Sequence, residues 1–112
     1  MTVRVKICGL TRVKDACAAI AAGADMIGLN FYPKTPRCIA IDRAREIRAA
    51  VGPRATIVGV FVNAPRDYID ERVRAAALDL LQFSGDESDA ALSGWPLPTI
   101  ATRRLKPGDT AA

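Results

Sequence analysis

The chain has 112 residues, 50% of them hydrophobic and 25% charged, with 16 Lys and Arg against 12 Asp and Glu, no His, and a formal net charge of +4. This length suffices for one domain and not two, and the composition excludes a disordered or collagen-like chain. No apolar run approaches the roughly 18 to 20 residues needed to span a bilayer, and the start, Met1 to Lys6, lacks the apolar core of a signal peptide, so a cytoplasmic location is predicted.

The absence of histidine removes the commonest general base and metal ligand, leaving Cys, Asp, Glu, Lys and Tyr for any acid-base chemistry. The three cysteines, Cys8, Cys17 and Cys38, are odd in number and form no C-x-x-C pair. They predict free thiols, with neither a disulfide framework nor a zinc site.

Along the chain, Val3 to Ile7 alternates apolar and charged residues and predicts a short strand ending at Cys8-Gly9. Thr11 can cap the following helix, with Asp15 in its first turn, Val13, Cys17, Ile20 and Ala21 on its apolar side and Gly23 as its left-handed stop. Met26 to Phe31 is a nearly continuous apolar run of the kind buried on both faces of a parallel sheet. Its connection, Tyr32 to Ile41, is long, stiffened by Pro33 and Pro36, and positively charged through Lys34 and Arg37. Asp42 can cap the next helix, which carries Ala44, Ile47 and Val51 on its apolar side and stops at Gly52-Pro53. Thr56 to Val62 predicts a third strand, Pro65 at a first helical position opens a helix over Arg66 to Ala77, and Leu78 to Phe83 predicts a fourth strand. A short helix through Ala90, Ala91 and Leu92 ends at Gly94, and Thr99-Ile100-Ala101 is a weak fifth strand beside Arg103-Arg104 and Pro107-Gly108.

Four strand-helix units and a fifth strand predict a parallel α/β sheet with right-handed crossovers. Two architectures fit: an open doubly wound sheet, or the first half of an eight-stranded barrel. A closed barrel typically takes about 200 to 250 residues, so 112 do not complete one.

In either architecture ligands bind where the strands end, which singles out Cys8-Gly9, Asn30 to Arg37, Asn63 and Gln82 to Asp86. Cys8, beside a glycine, close to Lys6 and near a helix N-terminus, has a setting that makes a thiolate available as base or nucleophile; a small residue filling the sheet end is the alternative. Cys17 and Cys38 read as packing residues. Arg37 offers a planar fork for a carboxylate or phosphate, or else is a solvated loop charge, as Lys34 is. Gln82 can hydrogen-bond a ligand. Asp86 and Glu87 read as the polar first turn of a helix rather than an acid pair, and Asn63 as a cap or turn residue. The other arginines alternate with acids along helices, without the aromatic platforms of a nucleic-acid surface. There is no Gly-x-Gly-x-x-Gly, phosphate-cradling Lys-Ser/Thr loop or metal-ligand cluster, so no nucleotide or metal cofactor is predicted.

Four blocks carry a family resemblance: Val5-Lys6-Ile7-Cys8-Gly9-Leu10-Thr11; Gly23-Ala24-Asp25 with Gly28 to Arg37; Val58 to Asn63; and Leu81 to Glu87. In this order they resemble the first four strands and loops of phosphoribosylanthranilate isomerase of tryptophan biosynthesis, over most of residues 3 to 87. The resemblance implies a partial (β/α)8 TIM-barrel domain over 1–112 and an Amadori rearrangement of N-(5-phosphoribosyl)anthranilate to the 1-deoxyribulose 5-phosphate, without cofactor. It implies Cys8 as general base, Arg37 as a ligand of the anionic substrate, and Gln82 as a substrate-binding residue. The sequence departs from the family pattern where Ser84 replaces a histidine and where the block Thr99 to Arg103 has no lysine. The family's general acid and phosphate loops belong beyond Ala112, and none of Asp86, Glu87 or Asp109 matches that acid. The resemblance therefore predicts no turnover by these 112 residues alone. The alternative is a half-barrel assembly module, associating with itself or with a complementing C-terminal half through unpaired sheet edges.

Overall fold

The computed structural model describes residues 5–101. Five strands, β1 (Lys6–Cys8), β2 (Met26–Asn30), β3 (Thr56–Phe61), β4 (Leu80–Phe83) and β5 (Thr99–Ala101), alternate with helices α1 (Val13–Ala21), α2 (Ile41–Val51), α3 (Arg66–Ala76) and α4 (Asp89–Leu92). All neighbouring strands pair in parallel, in the order β1-β2-β3-β4-β5. This order decides between the two architectures. A doubly wound sheet reverses its strand order and places helices on both faces, whereas right-handed crossovers that always step the same way put every helix on one face. Accordingly α1 packs on α2 and α2 on α3. The sheet also curls. Lys6 Nζ on β1 donates to Gln82 Oε1 on β4, two residues that three strand spacings of a flat sheet would hold about 14 Å apart.

The weak fifth strand is present and pairs with β4 through Leu81–Thr99, Gln82–Ile100 and Phe83–Ala101. Other boundaries differ from the sequence expectations. The strand expected over Val3 to Ile7 begins, among described residues, at Lys6 and extends to Cys8, with Val3 and Arg4 outside them. Thr11 and Asp42 cap nothing: the residues at the N-caps of α1 and α2 are Arg12 and Ala40, neither with a side-chain cap bond. Asp15 instead pairs with Arg12 at 2.9 Å, and Asp42 lies inside the first turn of α2. Pro65 stands one position earlier than expected, at the N-cap of α3. The backbone turns left-handed at Ala77, and the expected strand from Leu78 pairs only from Leu80.

Two aspartates pin the N-terminal end of the sheet in the same way. Asp25, immediately before β2, accepts the Val5 N–H with its carboxylate at 3.1 Å, and Asp79, immediately before β4, accepts the Ile57 N–H at 2.9 Å. Each ties its strand to the preceding one, and Asp79 is held in turn by Arg48 at 2.7 Å.

Alternation along the strands sorts the residues by face. Ile27, Leu29, Ile57, Phe61, Leu81 and Phe83 face the helices and, with Phe31, Ala44, Ile47 and Ile69, form the core. The concave face receives Lys6, Cys8, Gly28, Val58, Val60, Gln82 and Ile100, which share register across the strands.

At the centre of the helical layer Phe31 stacks on Phe61 at 5.3 Å, Tyr68 meets Phe61 edge-on at 6.4 Å, and the Arg72 guanidinium lies 3.4 Å from the centre of the Tyr68 ring. Tyr68 donates its O–H to the Phe31 carbonyl at 2.7 Å. Burial pushes the Tyr68 phenol above its ordinary value, and the Arg72 charge beside it acts in the opposite direction without overcoming burial. The fold therefore favours the protonated phenol, a contribution fully present below the unfolded value and lost as pH rises through the folded one. In a Tyr32→Phe background the remaining phenolate absorbance is expected to appear with a midpoint above about 10, and a midpoint at or below that value would contradict this assignment.

Candidate active site

Cys8 is the last residue of β1 and pairs with Gly28 on β2. Its side chain is exposed and lies across Gly28, so closely that a Cβ built there would stand 2.6 Å from Cys8 Sγ. The chain then turns at Gly9, whose φ of +79° is natural only to glycine. Its N–H bonds back to the Gly28 carbonyl at 3.1 Å.

The long loop after β2 returns to this turn. Asn30 Oδ1 accepts the Tyr32 N–H at 2.8 Å, two tight turns follow (Thr35 N–H to Tyr32 O, Cys38 N–H to Thr35 O), and the Ile39 N–H closes the loop on the Asn30 carbonyl at 2.8 Å. Thr35 Oγ1 also accepts the Arg37 N–H at 3.3 Å, so two prolines and these bonds hold the backbone at Arg37. The Arg37 stem rests on the turn after Cys8: a Cβ built on Gly9 would lie 2.9 Å from Arg37 Cδ. Among the described residues the exposed Arg37 forms no ion pair. A thiol and a free guanidinium thus share one corner of the sheet's C-terminal end.

Gln82 faces the same concave surface from β4, and the protein engages both ends of its amide: Oε1 accepts from Lys6 Nζ and Nε2 donates to Ser84 Oγ at 3.2 Å. Gln82 therefore shares the concave face with Cys8 while holding Lys6, a residue not singled out as a site residue from the sequence. The signal for Lys6 was there, because a residue two before Cys8 on a strand shares its face.

Asp86 and Glu87 do not form the first turn of a helix, since α4 begins at Asp89 with Ser88 as its cap, Ser88 Oγ accepting the Ala91 N–H at 3.2 Å. The Glu87 carboxylate instead accepts the backbone N–H of Asn63 at 2.7 Å and of Gly85 at 2.9 Å. Asn63, left-handed at φ +47°, accepts the Asp86 N–H at 3.0 Å. These bonds staple the loop after β3 to the loop after β4 and leave Glu87 occupied structurally. Cys17 and Cys38 are half-buried, Cys17 on α1 with its sulfur 3.8 Å from the Arg54 guanidinium and Cys38 within the loop after β2. Among the described residues no group of three or more His, Cys, Asp or Glu is placed to hold a metal ion, and no helix is long and apolar enough to cross a membrane.

A sequence-family model described as N-(5'-phosphoribosyl)anthranilate (PRA) isomerase matches residues 5–110. The chain belongs to this family of isomerases. It is 53% identical over 110 residues to the N-(5'-phosphoribosyl)anthranilate isomerase of Pseudomonas fluorescens strain Pf0-1, covering 98% of this chain and 54% of that protein. It is 56% identical over 107 residues to that of Pseudomonas aeruginosa PAO1, covering 96% and 51%. The crystal structure of phosphoribosyl anthranilate isomerase from Thermus thermophilus superposes with a TM-score of 0.83 at 38% identity, covering 88% of this chain and 50% of that one. The Thermotoga maritima enzyme superposes with 0.77 at 39%, covering 80% and 44%. A further structure, of an isomerase complexed with reduced 1-(o-carboxyphenylamino)-1-deoxyribulose 5-phosphate, gives 0.77 at 39%, covering 80% and 46%. The chain spans about half the length of the curated relatives it matches. Its fold is accordingly the leading part of the isomerase (β/α)8 barrel.

Proposed function

We propose that the chain supplies the general base and the carboxylate-binding corner of an N-(5'-phosphoribosyl)anthranilate isomerase acting in tryptophan biosynthesis. The observation that carries this reading is the Arg37 stem resting on the turn that directly follows Cys8 at the end of β1, in a chain of this family. In the rearrangement a general acid protonates the ribose ring oxygen, the C1–O bond breaks, and the anthranilate nitrogen becomes an iminium. The Cys8 thiolate then removes the C2 proton, and that C–H electron pair neutralises the iminium to give an enolamine. The enolamine tautomerises to the ketone, and the net change is redox-neutral. Arg37, with its fork unpaired, holds the anthranilate carboxylate. Gln82, fixed between Lys6 and Ser84, lines the floor of the site with one residual hydrogen-bonding position on each end of its amide.

Glu87 is committed to two backbone N–H groups, and none of Asp86, Glu87 or Asp109 matches the acid that the family resemblance implies. Turnover by this polypeptide alone is therefore placed below detection, since losing general acid catalysis costs about 100- to 10,000-fold. The decisive test joins residues 1–101 to the second half of the Pseudomonas fluorescens relative. The chimaera is expected to convert phosphoribosylanthranilate, and a folded but inactive chimaera would remove the reading.

A second reading rests on the sheet edges. Ile7 and Ile100, 36% and 41% exposed, lie on the edge strands β1 and β5, and Val5, 44% exposed, immediately precedes β1. Such edges and side chains call for further strands, whether from the same polypeptide, a complementing segment or a second copy. The 112-residue chain alone is expected to self-associate in light scattering, and a monomer at all concentrations would exclude that.

A further inference from the structure

We propose that Gly28 is a positioning residue for Cys8: by having no side chain it leaves a notch on β2 in which the Cys8 sulfur lies, facing the open concave end of the sheet beside Arg37. The geometry is local and specific. A Cβ at Gly28 would meet Cys8 Sγ at 2.6 Å and the Cys8 Cα and Cβ at 3.3 Å. The first distance is one that real side chains do not adopt, while the other two ask for only a small displacement of a three-residue edge strand. The conflict is therefore concentrated on the sulfur, the one atom of the three that can rotate away about χ1.

Gly28 does not need to be glycine for backbone reasons. It lies inside β2 in regular register with Cys8 and Val58, and is not among the glycines of positive φ. Glycine inside a strand weakens it through entropy and lost packing, and marks a place where another group must come close. Here the group that comes close is the thiol. Gly9 repeats the device one step on, its missing Cβ admitting the Arg37 stem at 2.9 Å. The missing side chain of Gly28 thus makes room for the thiol on β2, and Gly9, which its φ of +79° already requires, leaves room for the Arg37 stem on the turn that follows.

The bearing of this arrangement on catalysis rests on the isomerase reading above; the position of the sulfur does not, and the test is chosen accordingly. The 112-residue chain and its Gly28→Ala variant are alkylated with iodoacetamide, and the rates at Cys8, Cys17 and Cys38 are read separately from their peptides. The half-buried Cys17 and Cys38 serve as internal reporters of unfolding. The expected result is a change of at least about threefold at Cys8 with the other two rates unaltered, because thiol reactivity follows the local environment of the sulfur. A Cys8 rate within twofold of the parent's, with both reporters unaltered, would overturn the proposal. If all three rates rise together, the Cys8→Ala/Gly28→Ala double variant decides. Recovery of the parental urea midpoint on removal of the sulfur supports the notch, since contacting residues couple in a double-mutant cycle. A double variant as unstable as Gly28→Ala places the conflict on the backbone and overturns it. An inactive chimaera alongside a positive alkylation result would remove the isomerase reading and leave the notch standing.

Discussion

In the chimaera with the Pseudomonas fluorescens second half, Cys8→Ala is expected to lower kcat about 100- to 10,000-fold, the range that a positioned general base contributes. Stability should hardly move, because Cys8 is exposed at a strand end and its truncation opens no cavity in the core. That combination separates chemistry from folding: a loss of turnover with an unchanged urea midpoint is assigned to the proton transfer. Cys8→Ser is expected to recover little, since a hydroxyl ionises far less readily than a thiol and the C2 proton must be taken by an anion or a good base. Arg37→Ala should act differently. A carboxylate held equally in the ground and transition states is uniform binding, so its loss raises KM more than it lowers kcat. Arg37→Lys keeps the charge but not the two-pronged fork, and should restore only part of the affinity. A Cys8→Ala chimaera within tenfold of the parent would mean that another group takes the proton.

Much of this molecule could be read from its residues, and what could not be read has a common cause. The apolar runs at Met26, Thr56 and Leu80 are strands because β-branched and large apolar side chains recurring between turn residues have few other places to go. Cys8 and Arg37 stood out because both follow such runs. Strand-helix alternation alone left an open doubly wound sheet and a barrel wall both standing, because the choice depends on the spatial order of the strands; the barrel followed from the family resemblance of the strand-end blocks, and the observed order agrees with it. The Lys6–Gln82 contact joins residues 76 positions apart and exists only once the sheet curls. Thr11, Asp42 and Glu87 show a subtler limit. Each has a side chain suited to a helix start, but the turn at Gly9, the proline loop before α2 and the demand of two backbone N–H groups near β4 set where the backbone goes. The notch at Gly28 was invisible for the opposite reason. Its content is a missing atom, and only the position of the neighbouring sulfur gives that absence a meaning.

Phe61→Ala is expected to destabilise the chain by about 3 to 5 kcal/mol, the usual cost of emptying an aromatic site in a core. Phe61 is fully buried, stacked on Phe31 and met edge-on by Tyr68, so its removal deletes burial and two ring contacts together. Small domains are stable by only about 5 to 15 kcal/mol, so this loss is a large share of the total stability. Urea unfolding should show a much lower midpoint with the slope retained, which marks a change in stability rather than in the compactness of the end states. Ile100→Ala, at an exposed position on β5, is the control and should stay within about 0.5 kcal/mol. A loss below about 1 kcal/mol at Phe61 would mean that the ring layer relaxes to fill the space. The substitution should also reach the candidate site without touching it. Phe31, against which Phe61 stacks, is the first residue of the loop that carries Arg37, and its N–H bonds the Val60 carbonyl next to Phe61 at 2.9 Å. With the ring gone, the base of that loop loses its support from below. Alkylation of Cys38, within the same loop, should then accelerate before global unfolding is detected, because local opening requires less free energy than the whole transition.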